Sequence, residues 1–258
     1  VSGWKTLTIY GLLVPLIAGF FIYQKRHDLK SYIDNMGSLK CGFWTNSLGL
    51  FIFIVSLCIY ILFFVGSIDL VPRLMLILSL ISLAWYCFGL SLINIILFPM
   101  LFMFFMVPVP DSFIGIITLP MKTFATNMAV PMIKIFGIPL VQEGNIIHLT
   151  TCTLEVAEAC SGIRSLTSML MLSIFLAYMI KNNNYKRVIL VLLSPFIAIL
   201  ANVLRIMGTG ILANSYGNRV ARGYVHDVSG YLVFIFGFIA LLLLFNLLNK
   251  ESNQDGSE

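Results

Sequence analysis

Four residues whose side chains could act together in one reaction lie near the ends of three apolar segments. Cys160 stands in EACSGIRSL, at the start of a long apolar run, and Arg164 follows four residues later. Arg205 stands in ILANVLRIMGTG, and His226 stands in GYVHDVSG. A cysteine beside an arginine and a histidine permits nucleophilic acyl transfer, because a thiolate can attack a carbonyl carbon and form a thioester.

Each member of this set has a distinct expected role. The dipole of the helix that begins at Cys160 would favour the thiolate, and Arg164 would lie on the same helical face. His226 would act as a base and then as an acid, while Arg205 would stabilise the oxyanion or the thiolate. Asn202 precedes Arg205 by three residues, on the same face. The supporting residues are Arg164, Asn202, Ser161 and Gly162, of which the glycine leaves room for a substrate backbone.

Each of these residues also has a purely structural interpretation. A cysteine near the end of a span is commonly a packing residue, and an arginine there can extend to the lipid headgroups. A lone histidine in a loop needs no function. We expect Cys152, His148 and Asp227 to be structural, although Asp227 could orient His226. The coincidence of four such residues at one membrane depth is what favours a site.

The composition is that of a membrane protein. Of the 258 residues, 59% are hydrophobic and 10% are charged, whereas soluble domains carry about 25% charged residues. Apolar runs of about 20 residues recur along the chain, and each is long enough to cross a bilayer as a helix. The net charge of +5 comes from scattered basic residues, so we expect no nucleic-acid partner. None of the five cysteines forms a CxxC pair, so a metal site is not indicated.

The apolar runs predict an all-α polytopic membrane protein with about seven transmembrane helices. A single transmembrane domain would cover residues 1–249, followed by a disordered polar tail over 250–258. Between the fourth and fifth spans we expect a short interfacial helix, Met121–Phe136, and a small hairpin, Ile138–Val156, with its turn at Glu143–Asn145. The predicted spans are Trp4–Tyr23, Leu48–Gly66, Val71–Gly89, Leu92–Val107, Cys160–Ile180, Val188–Leu212 and Val228–Asn249.

The lysines and arginines of the short connections predict the orientation. Counting the spans puts three basic groups on one side, which we assign to the cytoplasm: Lys25, Arg26, Lys30 and Lys40; Lys181, Lys186 and Arg187; and Lys250. The segments Pro108–Glu158 and Ala213–Asp227 then face outside, and the catalytic set lies at the outer face of the cell membrane. Arg219 and Arg222 depart from the charge rule there, and a functional role would explain them.

Three motifs together resemble the exosortase/archaeosortase family of membrane cysteine transpeptidases. They are VAEACSGIRSL (Val156–Leu166), ANVLRI (Ala201–Ile206) and the histidine of GYVHDVSG (Gly223–Gly230). The segments IPLVQEGNIIHL, VPVP and IYGLLVPLIAGFFIYQKR are also similar to the family, so the resemblance covers nearly the whole chain. Members often have His-Gly where this chain has Tyr10-Gly11. Members also usually carry a further span before this point, which gives eight helices.

The resemblance implies a catalytic set of Cys160, Arg205 and His226, with Arg164 as a further motif arginine, and it implies no metal or organic cofactor. The implied partners are exported proteins with a C-terminal signal made of a short proline-containing motif, a transmembrane helix and a basic cluster. Membrane lipids and a lipid or polysaccharide acceptor are further expected partners. The implied reaction cleaves near the motif and transfers the protein to the acceptor.

Two other functions are compatible with the same residues. A hydrolytic intramembrane protease would use the same chemistry with water as the acceptor. A polytopic transporter, or a scaffold of an export complex, would line a substrate path with the arginines and would have broken helices near the middle of the membrane. The predicted cluster lies near one face of the membrane, which favours the enzyme.

Overall fold

The computed structural model describes residues 3–34, 43–66, 70–107, 111–156, 163–180, 183–217 and 224–254. These residues belong to two compact units, Val1–Pro110 and Asp111–Glu258. Helices dominate both units, as the sequence predicts, and the one small sheet lies in the second. The assignment of residues 1–249 to a single domain stays a prediction.

The first unit is helical throughout its described residues. Its elements are α1 (Gly3–Gln24), α2 (Arg26–Asp34), α3 (Phe43–Val65), α4 (Leu70–Phe102) and a short 3₁₀ helix, Met103–Met106. The ring of Phe21 is fully buried and meets the rings of Phe98 and Phe102 edge-on, with centroid distances of 5.0 and 5.5 Å. Edge-to-face aromatic pairs of this kind add to the stabilisation that burial itself provides, so they hold α1 against α4.

A backbone break at Gly89 divides α4. The residue has φ 81° and ψ 170°, a conformation that glycine adopts without steric cost. The hydroxyl of Tyr32 on α2 donates to the carbonyl oxygen of Phe88, just before the break, at 2.5 Å. The predicted third span ends at Gly89 and the fourth begins at Leu92, so the break lies where the sequence places the boundary between two spans.

Four helices among the described residues are long and apolar enough to cross a membrane, and two shorter apolar helices accompany them. The long segments are Asn46–Val65, Leu70–Met106, Asn184–Tyr216 and Gly230–Lys250, and the shorter ones are Leu13–Gln24 and Ser165–Met179. The protein is therefore an all-α membrane protein in its main architecture. The number of seven spans stays a prediction.

The second unit combines four helices with a three-stranded sheet. Its elements are α5 (Asp111–Ile135), β1 (Leu140–Glu143), β2 (Ile146–Leu149), β3 (Thr153–Glu155), α6 (Ile163–Met179), α7 (Asn184–Tyr216) and α8 (Tyr224–Gln254). Helix α7 packs against α5, α6 and α8 and is the central element of the unit. The polar tail predicted from Lys250 is helical as far as Gln254.

Helix α5 differs from the short helix that the sequence predicts over Met121–Phe136. It begins ten residues earlier, at Asp111, and it continues through Pro120 and Pro131. A proline removes one backbone donor from a helix interior, so Pro120 suggested that the helix begins only after it. Here the helix persists, with the buried side chains of Ala129 and Ile133 packed in a core beneath it. Packing of this buried face therefore stabilises the helix by more than the lost backbone hydrogen bonds at the prolines destabilise it.

The predicted hairpin is confirmed, and a third strand extends it. Strands β1 and β2 are antiparallel, with Glu143 opposite Ile146, and the turn is formed by Gly144 and Asn145. Gly144 has φ 60°, as a tight two-residue hairpin turn requires. Strand β3 then pairs antiparallel with β2. The sheet packs on α5 and α7 through a buried cluster of Ala125, Ala129, Val130, Ile133, Ile147, Leu149, Leu154, Val156, Val203, Ile206 and Ala213.

Helix α7 is longer than the predicted span Val188–Leu212 by about one turn at each end. Asn183 caps its start, where the side chain accepts a hydrogen bond of 3.1 Å from the amide of Lys186. Gly217, at φ 71°, follows its end and donates to the carbonyl oxygen of Ala213 at 2.8 Å. Both caps satisfy backbone groups that a helix end leaves open.

Candidate functional site

Arg205 lies on α7 beside a buried stripe of the helix. Asn202, Ile206, Thr209 and Ala213 are buried and recur every three or four residues, which keeps them on one helical face. Arg205 is half-buried at the border of this stripe and stands about three turns before the end of α7 at Tyr216. The predicted span ended at Leu212, so the arginine lies deeper within its helix than the sequence indicates.

The guanidinium group of Arg205 lies against the backbone of α8 at Gly230. A methyl group built on that glycine would stand 3.1 Å from Nη2, 3.3 Å from Cζ and 3.7 Å from Nη1 of Arg205. Ordinary contacts between non-bonded heavy atoms are about 3.5 to 4.0 Å. The charged end of the arginine therefore occupies space that a side chain at position 230 would need.

Position 226 lies on the same face of α8, one turn before Gly230. Helix α8 begins at Tyr224, so His226 is in its first turn and Gly230 follows four residues later. Residues spaced by four are neighbours on one helical face. The backbone thus brings the guanidinium of Arg205 to within about one helical turn of the position of the predicted histidine; the side chain of His226 is outside the described part of the chain.

Less of the structure is described for the other predicted site residues. Arg164 is the second residue of α6, and its backbone alone is described. Cys160, Ser161 and Gly162 lie outside the described residues. The expected convergence of all four reactive residues at one depth therefore stays a prediction.

The described chain on the N-terminal side of Cys160 is anchored in the buried cluster to which α7 contributes. Val156 is buried, and its amide donates to the carbonyl oxygen of Asn145 at 3.0 Å. Its side chain belongs to the same buried cluster as Val203 and Ile206, which stand on either side of Arg205 in α7. The sheet therefore fixes a point four residues before the cysteine against the helix that carries the arginine.

An apolar cavity of about 310 Å³ lies between α5 and α7. Asn202, which is 3% exposed, is the polar residue among those that line it. The lining residues are Pro120, Met121, Phe124, Ala125, Ile199 and Asn202. The predicted supporting residue Asn202 thus faces a cavity, one turn from Arg205.

The described residues that we expected to be structural have structural contacts. Cys152 packs against the buried cluster, and its Sγ is 3.6 Å from the carbonyl oxygen of Ala213. His148 lies in β2, with Nδ1 3.3 Å from Thr153 Oγ1 and Nε2 3.4 Å from Glu143 Oε2. Neither residue contacts Arg205 through these groups. The side chain of Asp227 is outside the described part.

Sequence reasoning missed two features of this region. Gly230 closes the GYVHDVSG motif, and its spacing of four from His226 is the signal that places both on one face. The cavity had no such signal, because its lining comes from two helices that are distant in sequence and are brought together only by packing.

The comparison with protein families shows the family of the chain. The model of the transmembrane exosortase family matches residues 4–244, nearly the whole chain. The chain belongs to the transmembrane exosortase family and is a multi-pass membrane protein. No curated protein and no solved structure matches it significantly.

Proposed function

We propose that this protein is a membrane-embedded cysteine transpeptidase that cleaves the C-terminal sorting signal of exported proteins and transfers them to a surface acceptor. Cys160 is the nucleophile, His226 is the acid and base, and Arg205 stabilises the oxyanion. Arg164, Asn202, Ser161 and Gly162 support this set. The acceptor is a lipid or a polysaccharide at the outer face of the cell membrane.

The reaction proceeds through a thioester. The thiolate of Cys160 attacks the scissile carbonyl carbon, and the guanidinium of Arg205 faces the developing oxyanion. The C–N bond breaks, and protonated His226 gives its proton to the leaving amine. An amine or hydroxyl of the acceptor then attacks the thioester while His226 takes its proton, and the thiolate is released again.

The observation that carries this proposal is the contact of Arg205 with Gly230. It brings an arginine from α7 next to the helical face on which His226 stands. Chain length supports the position of the nucleophile as well. Four residues can extend at most about 14 Å, and Val156, four residues before Cys160, packs in one cluster with Val203 and Ile206 of α7.

The transporter alternative expects a broken helix whose ends hold a polar substrate. The break at Gly89 is flanked by Cys87, Phe88 and Leu90, none of which is an acidic or basic residue that could pair with a charged substrate. This sequence context favours the enzyme over the transporter.

The test of the proposal uses a sorting reporter, a protein that ends in the C-terminal signal of an exported protein encoded beside this chain. We expect Cys160→Ala and Cys160→Ser to abolish cleavage of the reporter in cells. Cys152→Ala is the matched control, because Cys152 lies in the same segment and packs against the core, and it should cleave normally. Normal cleavage by Cys160→Ala would refute the proposal.

The outward orientation has its own test at the two ends of α7. Tyr185 and Tyr216 are 74% and 70% exposed, and the helix between them is about 46 Å long, which exceeds the thickness of the hydrocarbon core. In a protein without other cysteines, Tyr216→Cys should react with an impermeant thiol reagent in intact cells. Tyr185→Cys should react only after the cells are opened. The opposite pattern would place the site in the cytoplasm.

A further inference from the structure

The contact between Arg205 and Gly230 assigns a role to the glycine itself. We propose that Gly230 is a positioning residue, whose missing side chain lets the guanidinium of Arg205 lie against α8, one turn from His226. The inference rests on the proposed function for its catalytic consequence, but the contact itself can be tested without any substrate.

The geometry makes position 230 sensitive to small additions. An alanine methyl there would be 3.1 Å from Nη2 and 3.3 Å from Cζ of Arg205, so the neighbouring group must shift by a few tenths of an ångström. The guanidinium is the flexible end of a long side chain, whereas the backbone of α8 is fixed by helical hydrogen bonds. The arginine therefore moves and the helix does not.

Such a shift should have a small effect on folding and a large effect on the rate of catalysis. Alanine forms helices better than glycine, so Gly230→Ala should be made and inserted normally. An oxyanion donor acts over a hydrogen-bond distance, and a displacement of about 1 Å can cost a factor of about 100 in rate. A displacement of a few tenths of an ångström should therefore reduce turnover by about tenfold.

The first experiment measures cleavage of the sorting reporter by purified protein. Gly230→Ala should lower kcat about tenfold with little change in KM, because the guanidinium acts on the transition state. Gly230→Val should lower it further. A folding defect alone would reduce the amount of folded protein. It would not make the kcat of the folded protein fall stepwise as the side chain at position 230 grows.

Two other helical glycines are matched controls. Gly208 lies on α7, three residues after Arg205, and a methyl group there would meet no atom within 4 Å. Gly237 lies on α8, two turns after Gly230, where a methyl group would meet the flexible end of Met169 at 2.7 Å from Cε. Gly208→Ala and Gly237→Ala should retain the kcat of the wild type.

The second experiment needs no activity. The melting temperature of detergent-solubilised protein is measured for Gly230→Ala in the wild-type background and in the Arg205→Ala background. The added methyl group should raise the melting temperature more where the guanidinium is absent, because residues in direct contact show coupled effects on stability. Equal shifts in both backgrounds would refute the contact.

The outcomes separate this inference from the proposed function. Unchanged kcat in Gly230→Ala, together with an inactive Cys160→Ala, would refute the role of Gly230 alone. Cleavage by Cys160→Ala would refute the proposed function, and the melting experiment would still decide whether Gly230 positions Arg205.

Discussion

Helix α7 carries an arginine in its first turn and another about three turns before its end, and the two guanidinium groups lie in different surroundings. Arg187 donates from Nε and Nη2 to the carbonyl oxygen of Ile180, at 2.9 and 2.6 Å, and from Nη1 to Asn184 Oδ1 at 3.2 Å. The guanidinium of Arg205 lies against Gly230 of α8, and Asn202, one turn earlier in α7, lines a cavity.

The difference agrees with the proposal that Arg187 is structural and Arg205 is functional. Arg187 fastens the end of α6 to the start of α7 by satisfying a carbonyl group that the helix end leaves open. The guanidinium of Arg205 instead lies close to the backbone of α8 at Gly230, and in the proposed function it faces the substrate carbonyl. From the sequence alone, both residues are simply arginines near the ends of apolar segments.

The strongest test of this comparison replaces Arg205 by lysine. Lysine keeps the charge but loses the planar array of donors. We expect Arg205→Lys to fold and insert normally, and to lose reporter cleavage by roughly 100- to 1000-fold, as for other lost oxyanion donors. Cleavage and melting temperature are measured on the same preparation. Full activity of Arg205→Lys together with Arg205→Ala would make Arg205 a structural residue like Arg187.

Replacing Arg187 by lysine should have the opposite pattern of effects, with lower stability and normal cleavage. Lysine cannot reproduce the paired bonds to Ile180, so Arg187→Lys should lower the free energy of unfolding by about 1 to 2 kcal/mol. Cleavage per folded molecule should stay near that of the wild type. A loss of turnover without a loss of stability would show that the two arginines do not differ as proposed.

The smallest expected effect concerns the sheet at the far end of α7. The hydroxyl of Thr151 donates to the carbonyl oxygens of Ala213 and Asn214, at 3.3 Å each. Thr151→Val should lower the free energy of unfolding by about 1 kcal/mol, measured by thermal unfolding. Ser215→Ala is the control, because among the described residues that exposed hydroxyl bonds within its own helix, to the carbonyl oxygen of Ile211, and it should change stability by less.

Periodicity and turn chemistry predicted much of this architecture. The long apolar runs became helices, Gly144 became the hairpin turn, and Gly89 separated two apolar segments. Local signals failed where packing decides the outcome. The sequence predicted a helix only from Met121, directly after Pro120, yet α5 begins at Asp111 and continues through that proline, with its face buried on the cluster beneath the sheet. Strand β3 has only three residues, too few for a pattern of alternation.

The candidate site was predictable in its residue types and less so in its geometry. The spacing of Asn202 and Arg205 already indicated one helical face, and the structure has Asn202 buried one turn from the arginine. The contact with Gly230 joins α7 to α8, and its distance depends on how two helices cross. The spacing of residues within either motif does not determine the geometry at which α7 and α8 cross.

The length of α7 ties the arginine to the thickness of the membrane. Its 33 residues extend about 50 Å, whereas the hydrocarbon core is about 30 Å thick. Exposed tyrosines stand near both ends, at Tyr185 and Tyr216, and aromatic rings of this kind settle at the headgroup level. A helix with excess length tilts or projects beyond the core. The tilt sets the depth of the Arg205 guanidinium, so, if Arg205 acts as proposed, the length of the lipid acyl chains should influence how well that group reaches a substrate.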